Sequence, residues 1–168
     1  MNAVAAALLA LLIAAGGACG SEGGRPHGAP VEGDCSLFID SVDPPAFYAE
    51  VVGAVALPTT SVEARQTAGP EGTAQDGLHF AKFGLFVRGA ATVEIEIAET
   101  SSGRTLVDWA LPAERQDAAP AVRFSSCSDQ RWLVFAGGVW VESPGSVTLR
   151  VSSRNQTADH VLRVERGW

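Results

Sequence analysis

The sequence predicts an all-β protein: a single antiparallel β-sandwich of immunoglobulin-like type over residues 35–168, preceded by a signal peptide and a flexible tether. Three observations carry this expectation. Short runs that alternate polar and apolar residues with a period of two recur along the chain, as half-buried strands do. Turns rich in Gly and Pro separate them. No segment after the leader has a convincing 3.6-residue period, so the pattern is that of sandwiches rather than of helical or α/β proteins.

Met1 to Ala18 contains no Asp, Glu, Lys or Arg, and Ala3 to Ala15 is unbroken Ala, Val, Leu and Ile. A bilayer span takes roughly 20 apolar residues, so this run matches the core of a secretory signal peptide instead. It ends Gly16-Gly17-Ala18-Cys19-Gly20, which resembles the bacterial lipobox, whose Cys receives a diacylglycerol and becomes the mature N-terminus. That resemblance implies lipidation at Cys19 and anchorage at the outer face of the cytoplasmic membrane. Gly16 and Ala18 equally suit an ordinary signal peptidase, which would give a secreted protein. The chain has three Cys. An exported protein with an odd thiol needs an explanation, and lipidation of Cys19 leaves Cys35 and Cys127 to pair. Residues 19–34 then hold the lipidation Cys and a tether. Gly20 to Pro30 is mostly Gly, Ser and Pro and spans on the order of 17–20 Å. His27 within it is a solvated linker residue.

The formal net charge is −7, and the leader contributes none of it. An acidic body argues against nucleic acid as a partner and against charge-driven adhesion to anionic lipid. Arg outnumbers Lys eleven to one, and with abundant Ala and Gly this is the composition of a GC-rich bacterial coding sequence.

In order, Leu37 to Val42 is a first edge strand that stops at Asp43-Pro44-Pro45. Phe47 to Leu57 reads as one strand ended by Pro58, with Phe47, Ala49, Val51, Val55 and Leu57 on one face. Pro58 to Gly77 lacks periodicity and reads as a long, mobile surface loop. Ala81, Phe83, Leu85 and Val87 alternate with Lys82, Gly84 and Arg88. After Gly89-Ala90 a second run, Val93, Ile95 and Ile97, alternates with Thr92, Glu94 and Glu96, which predicts an antiparallel hairpin with one wet face. Ser101-Ser102-Gly103 turns the chain into a strand through Val107, Trp109 and Leu111, and Pro112 to Pro120 is a loop. Val122 and Phe124 lead into the densest β-forming stretch, Arg123 to Val151. There Val139-Trp140-Val141 and Ser146 to Val151 read as hairpin arms across a type II turn at Ser143-Pro144-Gly145-Ser146. Leu162 and Val164 make a last strand.

The run Phe124-x-x-Cys127, then Trp132-x-x-Phe135-Ala136-Gly137-Gly138-x-Trp140-Val141-x-x-Pro144, resembles a pattern in uncharacterised exported proteins of actinobacteria. Lys82-Phe83-Gly84-Leu85-Phe86-Val87-Arg88 fits the same group. The resemblance covers most of the chain after Cys35, implies a secreted β-sandwich, and carries no known activity or site residues. Such relatives often have a Cys just after the turn Pro, where this chain has Ser146. Cys127 then has only Cys35 for a partner.

Catalytic groups are not apparent. No Ser lies in a Gly-x-Ser-x-Gly elbow, and no Gly-rich loop is built to cradle phosphate. His27, His79 and His160 lie far apart and have no Cys or carboxylate at zinc-ligand spacing. Glu94 and Glu96 are the solvated face of a strand. The expectation is no enzyme, no metal and no cofactor. Gly137-Gly138 reads as a bulge or a tight turn. Trp132 and Trp140 fall on one side of the strand if it bends there without reversing, and Trp140 is then a stacking platform. The plainer reading packs Trp109, Trp132 and Trp140 into the body. The expected role is therefore a membrane-anchored, non-enzymatic envelope protein with a binding or architectural role, its surface built on Trp132, Gly137, Gly138 and Trp140. Its partner is an unknown protein or glycan, and the alternative role is a carbohydrate- or cell-wall-binding module that uses exposed aromatics.

Overall fold

A computed structural model describes residues 29–65, 69–111, 118–127 and 130–167. The leader, Cys19, His27 and Trp168 lie outside the described residues, as does most of the tether. The described chain is all-β apart from one 3-10 turn at Cys35–Leu37, and its strands form two sheets.

The smaller sheet holds β2 (Phe38–Asp40), β3 (Tyr48–Val51), β4 (Val55–Pro58), β7 (Leu85–Arg88) and β11 (Trp132–Phe135), in the order β2-β11-β7-β4-β3. The larger begins with β1 (Val31–Glu32), β5 (Val62–Ala64), β6 (His79–Lys82) and β8 (Val93–Thr100). It continues with β9 (Thr105–Trp109), β10 (Ala121–Phe124), β12 (Gly137–Val141), β13 (Gly145–Ser153) and β14 (Gln156–Arg166). Its order is β1-β10-β8-β13-β14-β5-β6-β12-β9.

Connectivity requires the larger sheet to curl. β8 and β9 have five strands between them in the sheet, yet only residues 101–104 join them in the chain. β12 and β13 have three strands between them and are joined by residues 142–144. A flat sheet cannot satisfy either connection, so this one is bent into a half-barrel. The two connections meet and lock there, Glu142 N donating to Arg104 O (3.0 Å), Ser143 N to Ser102 O (3.0 Å) and Ser101 N to Ser146 O (2.9 Å). Two pairings, β1 with β10 and β5 with β14, are parallel, so the sheet is not purely antiparallel.

Inward residues of both sheets form one core. Val93, Ile95, Ile97, Val107, Trp109, Val147, Leu149 and Val151 come from the half-barrel, and Val55, Leu57, Leu85, Val87, Leu133 and Phe135 from the smaller sheet. Outward positions on β8 and its neighbours carry ion pairs instead. Arg123 reaches Glu94, and Arg150 lies between Asp159 and Glu96.

Several expectations change. Phe47–Leu57 is two strands, because Val52 (φ 47°) and Gly53 (φ 65°) form the reversing turn and Ala54 N closes it on Val51 O at 3.2 Å. Positive φ at both central residues is the type I′ geometry that suits hairpins. Residues 58–77 are not one loop: β5 lies within them, with Val62 and Ala64 buried. The hairpin expected across Gly89-Ala90 does not form, since β7 and β8 belong to different sheets. The second expected hairpin fails as well. β12 pairs with β6 and β9, whereas β13 pairs with β14 and β8. Gly145 does not take the positive φ of a type II turn; it is small because Ser101 Oγ and Ser102 Oγ stand 2.8 and 2.7 Å from where a Cβ would be.

Cys35 and Cys127 are joined, with Cα atoms 5.5 Å apart and a sequence separation of 92. The folded body already includes Val31 and Glu32, ahead of the boundary expected at Cys35.

Candidate binding surface

One two-stranded ribbon belongs to both sheets. Residues 79–88 and 132–141 run antiparallel along their whole length, as β6 with β12 in the half-barrel and β7 with β11 in the smaller sheet. Both chains bend at the same level, between Lys82 and Leu85 on one and at Ala136-Gly137 on the other, and Phe83 N donates to Gly137 O across the bend at 2.9 Å. Buried Trp109 braces it from inside, its Nε1 donating to Phe83 O at 3.3 Å. Gly137-Gly138 is thus neither a bulge in one ladder nor a reversing turn. It is where a strand leaves one sheet for the other.

Both glycines are required by contact. Gly137 has φ 152°, and a Cβ on it would strike Asp108 O. Gly138 has no unusual φ, but a Cβ there would strike Ala81 O of the paired strand.

The bend separates the two predicted Trp. Trp132 is 3% exposed, on the outer side of the smaller sheet with Ala56, Phe86 and Val134, and the Arg88 guanidinium lies 4.2 Å over its ring. Trp140 lies on the outer side of the half-barrel, half-buried. Its ring packs on Phe80 at 4.7 Å and 32°, and its Nε1 donates to Asp108 Oδ2 at 2.8 Å. Trp132, Gly137, Gly138 and Trp140 therefore do not make one surface. Among the described tryptophans, Trp132 and Trp109 follow the packing reading and Trp140 is the one that stays partly exposed.

Beside Phe80 lies a feature that sequence reasoning missed. β5 and β6 pair at a single position, Ala64 with Ala81. Beyond it the strands part, and a groove of about 490 Å³ opens toward the smaller sheet. Phe80, Lys82 and Phe83 line one wall, Thr60, Ser61 and Glu63 another, and Phe47 and Tyr48 come from the smaller sheet. Phe47 is 53% exposed and meets Tyr48 edge-on at 5.2 Å. Tyr48 is fixed by its hydroxyl, which donates to Gly84 O at 3.1 Å, and burial holds its phenol above the ordinary pKa near 10. Glu63 is bound to Arg65 at 2.6 Å. Lys82 is exposed and has no carboxylate partner among the described residues. A usable signal was present in the composition: Tyr48 and Lys82 are the chain's only tyrosine and only lysine.

Among the described residues, no group of three or more His, Cys, Asp or Glu gathers as metal ligands would, and no helix is long and apolar enough to cross a membrane. His160 is occupied in packing, with Nε2 2.9 Å from Pro58 O. No known protein-family model matches the chain, and no curated protein is significantly similar to it.

Proposed function

We propose that the chain is an exported, membrane-tethered module of the cell envelope that binds its ligand in the Phe47–Phe80 groove and catalyses nothing on it. Its body is then a variant of the β-sandwich in which one layer is curled. The observation that carries the reading is the groove itself: aromatic side chains from both sheets line one opening, beside a Lys82 ammonium that has no carboxylate partner among the described residues. Aromatic faces supply contact area at low conformational cost and are the residues that dominate binding surfaces. Sedimentation with isolated envelope fractions tests the reading. With the lipid anchor removed by Cys19→Ala, the chain should still co-sediment, and adding Phe47→Ala or Phe80→Ala should release it while the variant melts as its parent does. Co-sedimentation untouched by both substitutions would sink the groove as the binding site.

A second reading, carbohydrate or cell-wall glycan as the ligand, is favoured by the lining chemistry. Thr60, Ser61, Glu63 and Lys82 place hydroxyls and charges beside the rings, and the volume falls in the range of small-ligand sites. Soluble cell-wall oligosaccharides should then compete the anchor-free Cys19→Ala chain off the envelope fraction. A proteinaceous fraction that retains it despite them would point to a protein partner.

The tethering half of the proposal rests on Cys19. The intact mass of the mature chain should correspond to a start at Cys19 with acyl chains attached, each buried CH₂ adding about 0.8 kcal/mol of membrane affinity. A mass without acyl groups would make the protein secreted.

A further inference from the structure

At a separate place on the surface, a recess of about 470 Å³ lies between two tight turns, one at Val52–Ala54 and the other at Ser153–Gln156. Arg88, Ala90, Ala91 and Gln130 complete its lining. We propose that this recess binds an oxyanion group, a carboxylate or a phosphate, with Arg88 and Arg154 as its cations.

Three observations converge there. The first is the state of the arginines. Arg65, Arg123 and Arg150 each commit their guanidinium to a carboxylate at 2.5–2.9 Å. Arg88 has only Glu50 at 3.9 Å, the outer limit of an ion pair, and Arg154 has no carboxylate partner among the described residues. The second is preorganisation. The Arg88 guanidinium carbon lies 4.2 Å over the Trp132 ring centroid, a cation–π contact that holds the group without using its N–H donors. Planar guanidinium forks match carboxylate and phosphate oxygens in pairs, so a fork held this way is ready to receive either. The third is backbone strain. Val52 (φ 47°) and Arg154 (φ 53°), one on each wall, occupy the left-handed region that non-glycine residues rarely enter. Gly or Asn would meet either turn at lower cost. Strain of this kind persists where surroundings hold it, and it gathers at ligand sites. Side-chain amides of Gln130, Asn155 and Gln156 add neutral donors to the same recess.

Titration of the full chain with inorganic phosphate in one arm and succinate in the other, at constant ionic strength, tests the site through the Nε–H NMR resonances of its arginines. Saturable shifts of Arg88 and Arg154 are expected in at least one arm, and the arm that saturates names the anion. Arg154→Gly should weaken binding about tenfold or more, the usual loss for a charge-assisted hydrogen bond. It should leave the melting temperature equal or higher, because Gly relieves the strained φ. Arg154→Lys should restore part of the affinity, and Arg88→Gln should abolish the saturable phase. Absence of saturation in both arms, or saturation that survives Arg154→Gly and Arg88→Gln, overturns the proposal.

Discussion

Gly138 is the residue on which the bend depends most directly. Its φ is ordinary, so any side chain could adopt its backbone; what forbids one is Ala81 O in the adjacent strand. Gly84, across the same ribbon, has room by comparison, with Val134 Cγ1 at 3.4 Å as the nearest atom to an added Cβ. Gly138→Ala should therefore cost about 3 kcal/mol or more, by forcing two paired strands apart, and Gly84→Ala less than about 1 kcal/mol. Chemical denaturation of the pair checks this, and equal losses would refute the contact argument. Tyr48 supplies a pH prediction. Burial raises its pKa in the folded chain, so the stability it contributes is complete below pH about 10 and is lost as pH rises through the raised value. As the only tyrosine, it makes phenolate absorbance a single-site signal. Ionisation should begin above the ordinary value and proceed together with loss of structure around β3. An unshifted titration with the fold intact would contradict the burial. Neither Gly138 nor Tyr48 could be assigned its role from the sequence, because each role is set by an atom of a distant strand.

Most strands were legible in the sequence, because the alternation of Val93, Ile95 and Ile97 with Glu94 and Glu96 records which side of an element is wet. Pairing was not legible. β7 and β8 both point apolar residues inward, but from different sheets, and a period of two is identical in either case. β12 and β13 were misjudged for the same reason. Ser143-Pro144-Gly145 reads as a reversal, yet it carries the chain across the mouth of the half-barrel. β5 was hidden by its length: three residues with two inward positions leave too little pattern to stand out among Thr, Gly and Gln. The groove was missed with it, since one of its walls is the place where β5 and β6 part. Trp140 was found because a large aromatic next to a double glycine is conspicuous, whereas Phe47 looked like an ordinary first residue of a strand.

At the scale of the molecule, the disulfide is the one long-range contact that counting could anticipate. It ties the 3-10 turn after β1 to the segment that follows β10, and Cys127 N also donates to Gly89 O at 2.5 Å. Closing so long a loop should stabilise the chain by about 4–5 kcal/mol on the chain-entropy model, comparable to the low end of a whole domain's margin of about 5–15 kcal/mol. Reduction, or Cys35→Ala with Cys127→Ala, should accordingly lower the melting temperature by well over 10 °C. A change of only a few degrees would mean that the pairings of β1 and β10 hold this edge without the bond.

Lys82 has a practical consequence. Amine-directed chemistry on the body of this protein can react at one side chain, and that side chain borders the groove. Apart from the chain's α-amino group, the attachment point for a sensor surface or fluorophore coupled through amines would lie on the candidate binding face, and coupling there would mask binding. Attachment at the carboxyl terminus avoids this. The same coincidence can be turned to use, since a bound ligand should shield Lys82 from acylation, and the degree of protection would report occupancy even before the ligand is identified.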